Sequence, residues 1–325
     1  MLTIVTTVAK QRFEKYGVAF HDDWTVKYLS GASQSELAEA CKDADVLFVG
    51  STDTVSAEVI NANPQLKLIQ AEGVGFDKID LEAAKAAGIP VSNNRAVNNV
   101  SVAEHTVGLI LAGLRRTALC TSEIASKPYT QVQSEYRAVG ENELGGKTVG
   151  IVGFGAIGRE VAKRLQGWDC NLVYYDAFPP SKEVEEQLHV TFMEQDELFR
   201  KADVISLHVP VLPTTIGMIN KETMATMKKN VLIVNTARGE IINQDDLVEA
   251  LENGDIYGAA LDVVYPEPAP ADLPLFHMSE AGRARLTFTP HVGGTTDEAF
   301  TRMLKWTVEN CERVEKGEKP INSVY

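Results

Sequence analysis

Short runs of apolar residues rich in valine and isoleucine alternate along the chain with longer segments in which apolar positions recur at helical spacing. Apolar runs bounded by turn residues and separated by amphipathic helices mark β-α-β units, so the class expected is α/β with parallel sheets. In the first part of the chain the pattern predicts strands at Leu2 to Val5, Val46 to Val49, Lys67 to Gln70 and Pro90 to Ser92. Helices are predicted over Ser35 to Cys41 and Asp80 to Ala87. Together these make a flavodoxin-like half. A second series runs through Thr148 to Val152, Leu172 to Tyr175, Val204 to His208, Leu232 to Asn235, Gly258 to Val263 and Leu286 to Thr289, and predicts a six-stranded doubly wound sheet.

Between the two series, Asn98 to Leu119 carries a long helical pattern in which Ser101 is placed to cap the start. It is expected to connect two domains. The last helical pattern, Thr295 to Glu315, has no strand after it and is expected to fold back on the first half. The organisation predicted is residues 1–98 plus 295–325 as one domain, with residues 99–294 inserted as the other. The crossings near Asn98 and Gly293 are the expected hinges.

Length agrees with two domains: 325 residues at about 150 per domain gives roughly two. With 44% hydrophobic and 23% charged residues, the composition is that of a packed globular protein. Charge narrows the partners. Lys plus Arg total 31 against 45 Asp plus Glu, a formal charge of -14, and so acidic a surface repels nucleic acid and anionic membrane. An anionic substrate must then be held by a local positive group, which makes individual arginines worth following. The apolar run Val107 to Leu114 is far short of the roughly 20 residues that span a bilayer. The N-terminus lacks the pattern of a secretory signal, so a cytoplasmic location is expected. Cys41, Cys120, Cys170 and Cys311 are scattered without metal-ligand spacing; they are expected to be buried thiols, and no metal is expected.

Gly153, Gly155 and Gly158 form G-x-G-x-x-G directly after an apolar strand and before the helical run Arg159 to Gln166, with Ala156 and Ile157 between the last two glycines. In that context the glycines allow a tight turn, close approach of backbone N–H groups to a pyrophosphate, and close helix packing. The next strand ends in Asp176, 18 residues after Gly158, where an acid accepts hydrogen bonds from both hydroxyls of an adenosine ribose. A Rossmann dinucleotide site follows. Asp176 repels a 2′-phosphate, and Ala177, Phe178 and Pro179 offer no cation to hold one, so NAD is expected over NADP.

Three chemically active residues follow predicted strands of the second series: Arg238 in VNTARGEII, Glu267 in the proline-rich loop Tyr265 to Pro274, and His291 in TPHVGG. All three come from loops at the edge of an open α/β sheet where ligands bind. An arginine suits a carboxylate, and a histidine beside a carboxylate has its imidazolium stabilised, as a general acid near neutral pH requires.

The strings GFGAIGREVAKRL, SLHVPVLPTT, VNTARGEIINQDDLVEAL, GAALDVVYPEP and TPHVGGTT closely resemble the D-isomer-specific 2-hydroxyacid dehydrogenase family, as do AEGVGFDKIDLEAA and SVAEHTVGLILA in the first half. The resemblance covers nearly the whole chain. It implies that the first domain binds substrate and the inserted one NAD. It further implies that Arg238 binds the substrate carboxylate and carbonyl, that His291 is the acid/base and Glu267 its orienting acid, and that backbone N–H groups of Gly73, Val74 and Gly75 hold the carboxylate. Asp262 then meets the nicotinamide carboxamide, Thr236 and Ala237 the nicotinamide ribose side, and His208, Pro210 and Thr215 the pyrophosphate and adenosine side. Hydride would pass between the nicotinamide and C2 of a 2-oxo or 2-hydroxy acid while His291 handles the proton, giving a D-2-hydroxy acid in the reducing direction.

Phosphoglycerate dehydrogenases of this family place an arginine after the strand matching Val46 to Val49. Here the stretch reads FVGSTDTVS, with Gly50 at that place and Asp53 close by, so a phosphorylated substrate is not expected. The sequence stops soon after its last helical pattern, so the regulatory domain of longer members is not expected. Formate dehydrogenases of similar pattern carry glutamine in place of Glu267. The family is commonly dimeric, and Asn98 to Tyr136, a long apolar helix with an extended arm bearing Tyr129 and Tyr136, is the expected homodimer interface. A second reading comes from the related C-terminal-binding-protein corepressors, in which the chain would be an NAD(H)-sensing interaction protein; no docking extension or basic targeting run supports it.

Overall fold

The computed structural model describes residues 1–50 and 52–325; Ser51, within the FVGSTDTVS stretch, lies outside the described residues. The chain divides into two compact units, residues 1–98 with 295–325, and residues 99–294.

The first unit is built on five parallel strands: β1 (Thr3–Thr6), β2 (Thr25–Tyr28), β3 (Val46–Val49), β4 (Leu68–Ala71) and β5 (Val91–Ser92), in the order β2-β1-β3-β4-β5. β3 and β4 are buried at every position because both faces of the sheet are covered, which is why they read as unbroken apolar runs. One face packs Val5, Leu47, Ile69 and Leu37 together. The other packs Ile4, Phe48 and Leu68 against Leu304, Cys311 and Val314 of the last helix, Asp297–Glu315, which thus returns to the first sheet.

The second unit has seven parallel strands: β6 (Thr148–Val152), β7 (Asn171–Tyr175), β8 (Thr191–Phe192), β9 (Val204–Leu207), β10 (Leu232–Asn235), β11 (Gly258–Leu261) and β12 (Leu286–Phe288). Their order is β12-β11-β10-β9-β6-β7-β8. The helix Asn99–Leu114 packs Ala103, Leu109, Ile110 and Leu114 against Ile151, Val234 and Ala260 on one face. Both units are doubly wound parallel-sheet α/β folds.

Five expectations are corrected. Each sheet has one strand more than the pattern predicts, β2 in the first and β8 in the second. The helix predicted to run to Leu119 ends at Leu114, and Arg116 takes a left-handed backbone conformation (φ 45°) before a new helix, Thr117–Ser126. Ser101 lies inside its helix and is buried, so it does not cap it. The arm bearing Tyr129 and Tyr136 is helical over Tyr129–Val139. Among the cysteines, Cys41 and Cys311 are buried, with burial pushing each thiol up to about 12, whereas Cys120 and Cys170 are only partly covered.

Candidate active site

The strand order of the second unit reverses at β6, whose neighbours are β9 and β7. The glycine turn lies at that reversal. Gly153 has φ +93°, donates to the Tyr175 carbonyl at 2.8 Å, and has no room for a side chain, since a Cβ there would sit 2.6 Å from the His208 carbonyl. The chain therefore threads between the ends of β7 and β9 because residue 153 is glycine. The helix Ala156–Arg164 starts from Gly155 without a side-chain cap, and the space where a Gly155 side chain would stand is open. Uncapped N–H groups at the positive end of a helix facing open space form an anion site.

Asp176, after β7, turns back onto this loop: Oδ2 accepts from the Phe154 N–H at 2.6 Å and Oδ1 from the Phe178 N–H at 2.8 Å. On the other side, the His208 N–H donates to the Val152 carbonyl at 2.7 Å, and its Nε2 lies 2.8 Å from the Ser206 hydroxyl. Among the described residues, His208 Nδ1 is buried without a hydrogen-bond partner, and burial pushes the ring down to about 3, so it is neutral at physiological pH. Thr215 staples the following loop, donating to the Pro210 carbonyl at 2.6 Å and accepting from the Leu212 N–H at 2.8 Å. This leaves Val211, Leu212 and Ile216 exposed. An uncapped helix start, an open glycine, an orphaned ring nitrogen and an acid at the next strand end fit a dinucleotide.

Three loops leave the carboxyl ends of adjacent strands β10, β11 and β12 and carry Arg238, Glu267 and His291. Glu267 and His291 meet: the two carboxylate oxygens lie 2.8 and 2.9 Å from His291 Nδ1, with both side chains about 40% exposed. A carboxylate accepting at Nδ1 fixes the proton there and leaves Nε2 as the working nitrogen. Arg238 does not touch this pair; its Nη1 donates to the Ala237 carbonyl at 2.7 Å. Asn235 braces the arginine turn, donating to the Arg238 carbonyl at 2.8 Å and accepting from the Ala237 N–H at 3.0 Å. Gly239 allows the turn to press on the β11 loop, since a Cβ there would fall 2.1 Å from the Val264 carbonyl. Thr236 is buried with its hydroxyl 2.9 Å from that of Thr106.

Beneath His291 lies Asp262, buried and bonded on both oxygens. Oδ1 accepts from the Thr289 hydroxyl at 2.5 Å and the Val292 N–H at 2.9 Å, and lies 3.3 Å from His105 Nε2. Oδ2 accepts from the Gly293 N–H at 2.8 Å. Burial opposes the charge, but the hydrogen bonds from His105, Thr289, Val292 and Gly293 outweigh it and hold the carboxyl below its usual range. The His291 N–H itself donates to the Asp262 carbonyl at 2.7 Å, with His291 at φ +54°. Asp262 thus fixes the turn that presents the histidine.

In the first unit, Gly73, Val74 and Gly75 follow β4. Two asparagines occupy the carbonyls here: Asn94 N–H donates to Gly73 at 2.9 Å, Asn94 Nδ2 to Glu72 at 2.7 Å, and Asn93 Nδ2 to Val74 at 2.6 Å. Among the described residues, the N–H groups of Gly73, Val74 and Gly75 donate no hydrogen bond. They are available to an anion.

Sequence reading missed His105, Thr289, Asn235 and Arg159. His105 stands in SVAEHTVGLILA and Asn235 in VNTARGEII, strings that were themselves informative, but what they touch lies far off in sequence. Arg159, whose Nε donates to the Phe154 carbonyl at 3.0 Å, is a cation beside the glycine turn that the residues after Asp176 did not announce.

The D-isomer specific 2-hydroxyacid dehydrogenase NAD binding domain matches residues 107–293. The chain is 40% identical over 300 residues to a D-3-phosphoglycerate dehydrogenase of Methanocaldococcus jannaschii, covering 92% of this chain and 55% of that protein. It is 39% identical over 289 residues to a glyoxylate reductase of Thermofilum pendens, covering 89% and 83%. The apo structure of Rhodotorula graminis D-mandelate dehydrogenase matches with a TM-score of 0.86 at 26% identity, over 99% of this chain and 97% of that one. The chain spans about half the length of the phosphoglycerate dehydrogenases it matches. Among the described residues, no helix is long and apolar enough to cross a membrane.

Proposed function

Because the chain belongs to the D-isomer specific 2-hydroxyacid dehydrogenase family, we propose that it is an NAD-dependent oxidoreductase interconverting an unphosphorylated 2-oxo acid and its D-2-hydroxy acid. The observation that carries this is the Glu267–His291 pair on the same sheet edge as an uncapped, glycine-lined helix start. NAD(H) would be held by Gly153 to Gly158, Asp176 and the His208 to Thr215 loop, and when bound it supplies or accepts the hydride.

The chain's own groups do the rest. Arg238 offers a planar fork of donors to a carboxylate and a carbonyl, and the N–H groups of Gly73 to Gly75 in the first unit offer donors to a carboxylate. His291 holds a proton on Nε2 and gives it to the carbonyl oxygen in reduction, while Glu267 keeps the ring in register from Nδ1. Arg238 and the imidazolium stabilise the negative charge that grows on that oxygen. Asp176 disfavours a 2′-phosphate, which supports NAD over NADP. The stretch Gly50 to Ser56 after β3 carries no arginine or lysine of its own, and its Asp53 accepts from the Thr7 hydroxyl at 2.5 Å, which disfavours a substrate phosphate there, although Lys78 Nζ donates to the Thr52 carbonyl at 3.2 Å.

Absorbance assays of NADH and NADPH oxidation against glyoxylate, hydroxypyruvate, pyruvate and bulkier 2-oxo acids test the proposal. One substrate turned over far faster than the rest, with NADH preferred, is the expected result. Tight NADH binding with negligible turnover across the panel would overturn it in favour of the NAD(H)-sensing interaction protein.

A further inference from the structure

Glu72 is a carboxylate 3% exposed, one residue before the three free N–H groups of Gly73, Val74 and Gly75. A buried negative charge beside a loop meant for an anion works against that loop, because charges within several ångströms are poorly screened inside a protein. Its partner is Arg12, on the helix Lys10–Tyr16 that follows β1, with Nη1 2.5 Å from Glu72 Oε1. The guanidinium is fixed from a second side by Phe300 of the last helix, whose ring centroid lies 4.9 Å away, and Phe300 is in turn stacked on Tyr16 at 5.5 Å. The pairing is thus built from three elements of one unit that meet at the carboxyl end of its sheet. Glu72 is the buried member and the Arg12 side chain is about 40% exposed, so removing Arg12 leaves a buried carboxylate uncompensated, whereas removing Glu72 leaves a partly solvated cation, and the effect on a nearby ligand has the sign of the charge that remains.

We propose that Arg12 is a positioning residue for the substrate carboxylate, acting by cancelling the buried charge of Glu72 so that the Gly73–Gly75 loop can accept an anion. The proposal rests on the 2-oxo acid reading of the loop and adds that its affinity is set by this pair. Arg12 without Glu72 leaves an excess cation that favours anions; Glu72 without Arg12 leaves an excess anion that rejects them. The two substitutions therefore act in opposite directions, which loss of packing would not do.

The test compares the Arg12→Met, Arg12→Lys, Glu72→Gln and Arg12→Met/Glu72→Gln variants in steady-state reduction and in titration of the NADH-loaded protein with oxamate, a 2-oxo acid mimic that needs no turnover. Arg12→Met is expected to raise KM and the oxamate Kd by about tenfold, with a smaller change in kcat. Arg12→Lys keeps the charge and should recover most of the affinity. Glu72→Gln should bind oxamate at least as tightly as the wild type, and the double variant should bind more tightly than Arg12→Met alone. NADH affinity and melting temperature report whether each variant is folded. A double variant no better than Arg12→Met, or a Glu72→Gln protein that binds oxamate less tightly, would overturn the proposal; if Arg12→Met does not fold, the Glu72→Gln result decides alone. A wild type that reduces no 2-oxo acid while its oxamate binding follows this order would instead overturn the dehydrogenase reading and leave the pair's role standing.

Discussion

Glu267 presents both carboxylate oxygens to one nitrogen of His291, at 2.8 and 2.9 Å from Nδ1. The two residues sit on loops after neighbouring strands, beyond the paired ends Leu261 and Phe288. His291→Ala is expected to lower kcat on the order of a thousandfold while the NADH Kd, read by fluorescence quenching, stays close to that of the wild type. Glu267→Gln offers Nδ1 one carbonyl oxygen where the carboxylate offers two, so the ring is held less firmly and on the order of a hundredfold loss in kcat is expected. Wild-type turnover in either variant would remove the pair from the chemistry.

Asp262 joins the turn of His291 to the helix Asn99–Leu114 through His105. Asp262→Asn cannot satisfy four donors with a neutral amide, so a loss of about 2–4 kcal/mol is expected in denaturant titration, together with reduced turnover as the His291 turn loosens. The charge also gives a pH dependence. A carboxyl held below its usual range adds stability that is present above its ordinary value of 3.8 and is lost as pH falls through the lower folded value. The Asn variant should lack that component of acid unfolding; superimposable acid transitions would contradict it.

His208 acts at a higher pH and for the opposite chemical reason, because here burial excludes a charge. Its folded value of about 3 against the ordinary 6.5 means that between these values the unfolded chain takes up a proton that the folded chain does not. Stability contributed by the neutral ring is complete above about 6.5 and falls as pH drops toward 3. Urea midpoints measured from pH 7 down to about 4.5 should decline more steeply for the wild type than for His208→Asn. Parallel curves would place the ring in contact with water.

These residues also mark where sequence reading stops. Strands β3, β6, β9 and β10 were legible because a sheet covered on both faces demands unbroken apolar runs. β2 (TVKY) and β8 (TF) lie at sheet edges, partly exposed and short, and carry no such run. The break after Leu114 was hidden because arginine is a good helix former. What holds Arg116 in its turn is Glu141, 2.5 Å away, and the Tyr136 ring, 4.9 Å away, both distant in sequence. Likewise the glycine turn and the Glu267 and His291 loops could be placed because each follows its own strand, whereas the Asp262–His105 and Arg12–Glu72 contacts join elements that no local pattern relates.

Cofactor choice depends on Asp176. Its two oxygens are engaged by Phe154 and Phe178 N–H groups, so the negative charge is held at the end of β7 rather than free to swing away. Asp176→Ala with Ala177→Arg removes that charge and adds a cation near Arg159, already beside the turn. The ratio of kcat/KM with NADPH to that with NADH should rise by roughly tenfold or more. An unchanged ratio would mean that discrimination lies elsewhere.

The second unit leaves an apolar surface without a partner in the single chain. The helix Thr117–Ser126 buries none of its residues, and Ile124, Tyr129 and Val139 are exposed. A groove of about 360 Å³ runs between it and the helix Asn99–Leu114, lined by Gly108, Ala112, Ala118 and Phe288. A helix with no buried face gains little from folding alone and is stabilised by docking, and the small side chains along the groove permit close approach of another helix. A second copy of the chain is the proposed occupant, so sedimentation at micromolar concentration should give a dimer. Ile124→Glu with Ala118→Glu should shift the protein to monomer by placing like charges on a self-complementary surface. A wild type that sediments as a monomer under these conditions would leave the groove to a different partner.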